Sequence, residues 1–459
     1  MNAPQLFYTL LTCVFFGVFQ GYSQDSLSLE EFLGYVKRYH PFVKQANITL
    51  SESQAKLLKA RGAFDPKFEM DFKEKTVKNR PYYERFNAVF SLPTPLGIDV
   101  KAEVSEATGA LLNPERFVSS DQLYAVGADL DLGKGLLANS RTIALKKAKQ
   151  FINQAEEENR LEINQILEQA THAFIDWYAA FQQWQLVGQF VENAKFRFEG
   201  VKKRVAEGDL APIDSVEARI AYNDRVLMQE KSRLKLSVAT LKASNFLWLD
   251  DEPLKINSVA IPVLDEATFE LKFTAEVVNV DTHPKIKALE YKVAQGRLEQ
   301  RLQQNNLLPE VKLGYRWLSD QNPTQTFRPS LDPGNNITSV KVKFPLFLRK
   351  ERAEIKISSL KVDDLAQAKA QATLDLTNKM SALEAQKNSL TSQKGIAKGV
   401  MNDYRILYDG EQKKFAAGES SLFLVNSREN RYLNAMQKFI SLKQDQQKAQ
   451  LSYYFLLTF

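Results

Sequence analysis

The sequence predicts an α+β protein made of two tandem repeats, each a helix, a strand region and a long helical hairpin. Three observations carry this. His40-Pro41 and His283-Pro284 lie 243 residues apart, and each pair is followed 25 residues later by another proline, Pro66 or Pro309. Beyond those prolines, apolar and polar residues alternate with period two, as in strands that have one apolar face. Beyond the strands run tracts of 65 and 64 residues without proline, Arg141–Val205 and Arg352–Phe415. Helix, breaker and strand onset recurring in one order mark an internal repeat.

The first 23 residues concern address rather than fold. Leu6–Phe19 is apolar except for Thr9, Thr12 and the small Cys13 and Gly17, and Gly21-Tyr22-Ser23 offers a cleavage site before Gln24. This reads as a signal peptide, although Met1–Gln5 supplies no Lys or Arg. The alternative, a membrane anchor, requires roughly 20 apolar residues. Cys13 reads as a small hydrophobe. No later window resembles a transmembrane helix, so any insertion must use strands or a surface helix.

The 459 residues hold 61 Lys or Arg against 55 Asp or Glu, and 44% are hydrophobic, which argues against wholesale disorder. One Cys and three His argue against a disulfide framework, a zinc cluster or haem ligation. The sequence has no Walker loop, dinucleotide fingerprint or nucleophile elbow with a triad, so no catalytic residue, cofactor or metal is expected. The helix lysines lie among Asp, Glu and Gln, a solvated surface rather than a nucleic-acid track.

The first repeat is placed at 24–251, with a strand region over 67–132 and a helical hairpin over 141–249. A linker or equatorial segment follows over 252–280. The second repeat occupies 281–459, with strands over 310–348 and a hairpin over 352–457. Phe68, Met70 and Phe72 alternate with Glu69, Asp71 and Lys73; Val126, Ala128, Leu130 and Leu132 alternate with Gly127, Asp129 and Asp131. Val311, Leu313, Tyr315 and Trp317 alternate with Lys312, Gly314 and Arg316, and Val340, Val342, Phe344 and Leu346 with Lys341, Lys343 and Pro345. The stretches 86–92 and 98–102 form an additional hairpin around Pro93–Gly97, expected on the outer side.

In the first hairpin Ile213, Ile220, Leu227, Leu234, Leu241 and Trp248 step by seven, and in the second Leu376, Leu383, Leu390, Ala397 and Tyr404 do the same. A period of seven selects left-handed supercoiling along a seam between neighbouring helices. Trp177, Phe181 and Trp184 read as packing residues. The hairpin tips share a pattern: Arg204, three residues, Gly208, Asp209; and Lys414, three residues, Gly418, Glu419. Glycine suits a tight turn there, an acidic residue can accept from the next helix's N–H groups, and Ser420 or Ser421 can cap it.

On these features the chain resembles the TolC-like outer membrane efflux protein family: tandem halves, strands before long helices, a glycine turn in each hairpin, and Phe344-Pro345-Leu346-Phe347 leading into the basic Arg349-Lys350. The resemblance implies a homotrimer whose chains donate strands to one outer-membrane β-barrel, embedded in lipid and continued by a periplasmic α-helical coiled-coil barrel. It implies a passive exit duct of a tripartite efflux or type I secretion system, with a periplasmic adaptor protein and an inner-membrane transporter as partners. Carried over, Arg204, Gly208, Asp209, Lys414, Gly418 and Glu419 become adaptor-docking or tip-turn residues. The family gate places carboxylates after the second glycine turn. Here that stretch holds Leu422, Phe423 and Leu424, and only the first half keeps acids, Asp214 and Glu217. An apolar constriction and ordinary coiled-coil packing are both open readings. Lys312, Arg316, Lys341 and Lys343 are expected to face the lumen, offset by Glu69, Asp71, Asp129 and Asp131. The rival reading is a secreted periplasmic coiled-coil adaptor or rod whose strands form a soluble domain.

Overall fold

The structure, a computed structural model, describes residues 26–109, 112–113, 122–135, 138–257, 259–274, 279–320 and 334–458. The expected signal peptide and Cys13 lie outside them. In chain order the elements are β1 (Ser26–Ser28), α1 (Leu29–Tyr39), α2 (Pro41–Arg61), β2 (Lys67–Val77), β3 (Arg80–Pro93), β4 (Ile98–Thr108) and β5 (Leu123–Asp131). Then come α3 (Ser140–Ala206), α4 (Pro212–Ser244), β6 (Trp248–Leu249), β7 (Glu252–Pro253), β8 (Ile261–Val263) and α5 (Glu266–Lys272). The second repeat supplies α6 (Pro284–Asn305), β9 (Glu310–Ser319), β10 (Asn336–Lys343), α7 (Arg349–Ala416) and α8 (Leu422–Leu457). The chain divides into two compact units, and α3, α7 and α8 each contribute to both.

The strand unit comprises 41–168, 274–389 and the C-terminal turns from Ala449. Its six-stranded sheet has the order β10-β9-β5-β4-β3-β2, antiparallel throughout. The register carries one apolar face across it: Phe68 pairs with Phe90, Phe90 with Ala102, Ala102 with Val126 and Val126 with Trp317. Odd positions of β2 carry the polar face, which continues through Lys101, Asp129 and Arg316. Phe68, Met70, Phe72, Val126, Val340 and Val342 are all exposed, so no part of the described chain covers the apolar face there. Among the described residues, the first repeat thus supplies four strands to this sheet and the second two.

Three expectations change. The turn after Pro93 lies at the helix end of the sheet, not the outer side. The Pro95 carbonyl accepts from Asn139 Nδ2 and Thr142 Oγ1, both at 3.2 Å, and Asp99 pairs with Arg141 at 2.8 Å. A chain that leaves the helices along β2 returns to them along β3. In the second repeat, the strand ends at Lys343 rather than continuing through Phe344 and Leu346, because Pro345 has no N–H for a ladder. Trp248 leaves the helix: α4 ends at Ser244, and Trp248 pairs with Pro253 across a turn in which Asp250 and Asp251 both have positive φ, 48° and 71°.

Helices α2, α6 and the neighbouring parts of α3 and α7 complete the strand unit. Lys147 pairs with Glu299 at 2.6 Å, and Ile286 packs with Ala372 and Leu376. His283 has extended backbone before Pro284, and its Nδ1 accepts from the Lys285 N–H at 3.0 Å. Burial pulls its pKa down to about 4, so it folds neutral. The unfolded imidazole binds its proton near 6.5, so His283 contributes stability that is complete above that pH. That contribution, at most about 3 kcal/mol, is lost as pH falls from 6.5 towards 4. His283→Gln is expected to flatten acid unfolding across that window, as followed by circular dichroism.

The hairpin unit comprises 26–40, 169–273 and 390–448. In it β1 pairs in parallel with β8. Ser28 caps α1 through a reciprocal bond with Glu31, and Asp265 caps α5. The expected linker 252–280 therefore holds ordered strands and a helix. Phe32, Phe174 and Trp177 form a buried aromatic cluster with centroids 5.3 and 5.6 Å apart.

Candidate functional site: the helix tips and the barrel wall

The two tips are built alike. In the first, Asp209 N–H donates to the Arg204 carbonyl at 2.9 Å and Gly208 N–H to Val205 at 3.2 Å. In the second, Glu419 N–H donates to Lys414 at 2.8 Å and Gly418 N–H to Phe415 at 3.1 Å. Each is a Schellman turn, which closes a helix by a residue in the left-handed region. Gly208 and Gly418 supply it, at φ 86° and 77°, with open space where a Cβ would stand. Only backbone strain opposes a side chain, so Gly208→Ala and Gly418→Ala should each loosen their turn by about 1–2 kcal/mol. Faster amide exchange at 203–212 or 413–422 would show it.

Asp209 and Glu419 contribute backbone N–H groups to these turns, and other residues cap the next helices. Asp214 accepts from Ala211 N–H at 3.2 Å, and Ser421 Oγ from Leu424 N–H at 3.3 Å. Ser420 donates to Glu411 at 2.5 Å. Leu422 is buried with Val201 and Ala218 beneath Phe198, Val205, Leu210 and Phe415. Phe423 and Leu424 are exposed, and Glu217 accepts from Asn426 at 3.5 Å.

Behind the tips sits a cluster that sequence reading missed. Glu429, 1% exposed, accepts from Arg197 on α3 at 2.5 Å and from Arg225 on α4 at 3.2 Å. Tyr408 on α7 donates to it at 2.9 Å, and Asn430 accepts from Arg225 at 2.6 Å. Burial, then the Glu429 charge, pushes the Tyr408 hydroxyl up to about 12, so it keeps its proton. One carboxylate thus joins four helices within this unit. The signal was its position: Glu429 lies seven residues after Leu422, and Arg225 falls in the buried series Ala218, Arg225, Ser232, Ala239.

That series forms α4's intramolecular seam. The larger ladder Ile213, Ile220, Leu227, Leu234 and Leu241 is 55–69% exposed. In α7, by contrast, Leu376 is buried and Leu383, Leu390, Ala397 and Tyr404 are partly so.

On the sheet's polar face, charges meet charges. Lys101 and Arg316 pair with Asp129 at 2.7 and 3.4 Å, and Lys312 with Glu310 at 2.8 Å. Lys341 and Lys343 stand exposed on the edge strand β10. Among the described residues no cluster suited to a metal ion occurs.

Residues 280–458, the second repeat, match the model of the outer membrane efflux protein family. No curated protein matches the chain. Among solved structures, the Campylobacter jejuni CmeC outer membrane channel superposes with a TM-score of 0.66 at 12% identity, over 100% of this chain and 93% of that one. The open state of the Neisseria gonorrhoeae MtrE outer membrane channel gives 0.67 at 10% identity, over 94% and 88%. CusC, described as forming a transmembrane channel, gives 0.68 at 13% identity, over 94% and 91%. Over its second repeat this chain thus resembles the outer membrane efflux protein family, and over nearly its whole length it shares the fold of these outer membrane channel structures.

Proposed function

We propose that this protein is the passive outer-membrane exit duct of a tripartite efflux or type I secretion system. Three copies share one barrel and one helical cylinder. The supporting observation is the sheet: an uncovered apolar face backed by a face of paired charges, on strands of 8 to 14 residues. Barrel walls need about 9–11 residues per strand, apolar towards lipid and polar towards water. A soluble adaptor would have to cover that face. The exposed ladder on α4 is a second surface suited to a neighbouring copy.

In this reading, energy comes from an inner-membrane transporter, and the chain performs no chemistry. The tips around Arg204, Asp209, Lys414 and Glu419 meet a periplasmic adaptor, with Gly208 and Gly418 setting their shape. Phe423 and Leu424, with Asp214 and Glu217, narrow the entrance, and Leu422 supports them from within its cluster. Lys312, Arg316, Lys341 and Lys343 face the lumen beside acids that balance them, so strong anion selectivity is not expected. Membrane fractionation with chemical cross-linking tests the proposal. A trimer that requires detergent and sediments with outer membrane supports it; a soluble monomer overturns it.

A further inference from the structure

We infer that the wall closes through edge strands of successive copies, β10 of one against β2 of the next, with Lys341 opposite Asp71 and Lys343 opposite Glu69. This deepens the duct reading and rests on it, adding a strand count, a register and the ion pairs of the seam.

The sheet ends in two bare strands: every residue of β10 is exposed, and all but one of β2. Such edges are templates for another chain. β2 runs away from its helix and β10 runs back towards α7, so the two meet antiparallel, like every pair within the sheet. The apolar face must continue from Val340 and Val342 to Phe68, Met70 and Phe72. A one-residue slip would turn one strand over, so the allowed registers differ by steps of two.

Barrel geometry narrows them further. Along the ladder, Lys67 is level with Ser91, Lys101, Gly127, Arg316 and finally Ile337, well before the end of β10 at Lys343. Three copies make eighteen strands, and the closing register fixes the stagger and hence the tilt. With strands about 4.8 Å apart and a rise of about 3.3 Å, setting Lys343 opposite Lys67 gives a tilt of about 35°, and opposite Glu69 about 43°. The next steps either way give about 25° and about 49°, outside the usual 35–45°.

Charge decides between the remaining two. Within the chain Lys341 stands directly opposite Lys312, a like-charge pairing, and Lys343 opposite Glu310, already held by Lys312. Among the described residues neither lysine has an ion pair, nor has Glu69. Lys343 opposite Lys67 would oppose two more cations. The other register gives Lys343 Glu69 and gives Lys341 Asp71, a carboxylate beside Lys73 and Arg85 whose side chain is still 43% exposed. The closed wall would measure about 35–40 Å between opposite backbones, in the range that leaves an aqueous channel.

Cysteine pairs oxidised in native outer membranes test the seam. The only native cysteine, Cys13, lies in the expected signal segment. Directly opposite Cβ atoms are about 5 Å apart and diagonal ones about 7–8 Å, so Asp71→Cys with Lys341→Cys should give at least about tenfold more covalent dimer and trimer than Glu69→Cys with Lys341→Cys. The reverse preference overturns the register. A detergent-stable trimer that cross-links through neither pair overturns the seam and leaves the duct reading standing. A monomer overturns both. As a second arm, Lys341→Glu with Lys343→Glu should lower trimer yield severalfold, and adding Glu69→Lys with Asp71→Lys should restore it. Failure of that rescue in a folded protein counts against the pairing.

Discussion

Glu429→Ala is expected to be among the most damaging single substitutions in the hairpin unit. It leaves Arg225, only 4% exposed, and the largely buried Arg197 without their carboxylate. Breaking a buried ion pair from one side costs about 3–5 kcal/mol, because the stranded charge has no water to return to. Hydrogen exchange should accelerate together in segments of α3, α4, α7 and α8 around Arg197, Arg225, Tyr408 and Glu429, since all four helices share this group. Glu419→Ala, at a tip where only the backbone is engaged, should stay within about 0.5 kcal/mol. A Glu429→Ala protein with unchanged exchange would show that the arginines find other partners.

Val126→Arg is the second large expectation. Val126 lies midway along β5 on the apolar face, between Ala102 and Trp317 in the ladder, and is 46% exposed. An arginine facing lipid at mid-membrane costs about 2–4 kcal/mol, whereas one facing the lumen is tolerated. Ser105→Arg, on the polar face of β4 beside Asn87, is the matched control. Outer-membrane yield and melting of the purified trimer should fall for Val126→Arg and hold for Ser105→Arg. Equal tolerance would place both faces in water.

Some of this was legible from residues alone. Period-two alternation located strands in β2, β5, β9 and β10, because a sheet with one apolar and one polar face makes each successive position choose a side. The tip glycines were legible because a Schellman turn needs positive φ. The partner of each helical surface was not. A seven-residue step in Ile213–Leu241 says that a seam exists, and the structure shows that α4 turns a smaller ladder, Ala218–Ala239, inward and leaves the large one exposed. Glu429 was overlooked for the same reason. Its charge suggests solvent, and its buried setting becomes visible only once Arg197, Arg225 and Tyr408 converge from three other helices. The turn at Pro95 misled because its prolines look like a loop tip; its position follows from strand parity, which required all four strands of the first repeat to be counted.

The proposed duct requires the apolar side of the sheet to meet lipid, and nitroxide labels at successive positions of β5, from Tyr124 to Leu130, measure this directly in reconstituted membranes. The prediction is strict alternation: labels at 124, 126, 128 and 130 relax with lipid-dissolved oxygen, and labels at 125, 127 and 129 with a water-soluble nickel complex. Labels that are equally wet on both sides, or sheltered from both reagents on the apolar side, would contradict a lipid-facing wall.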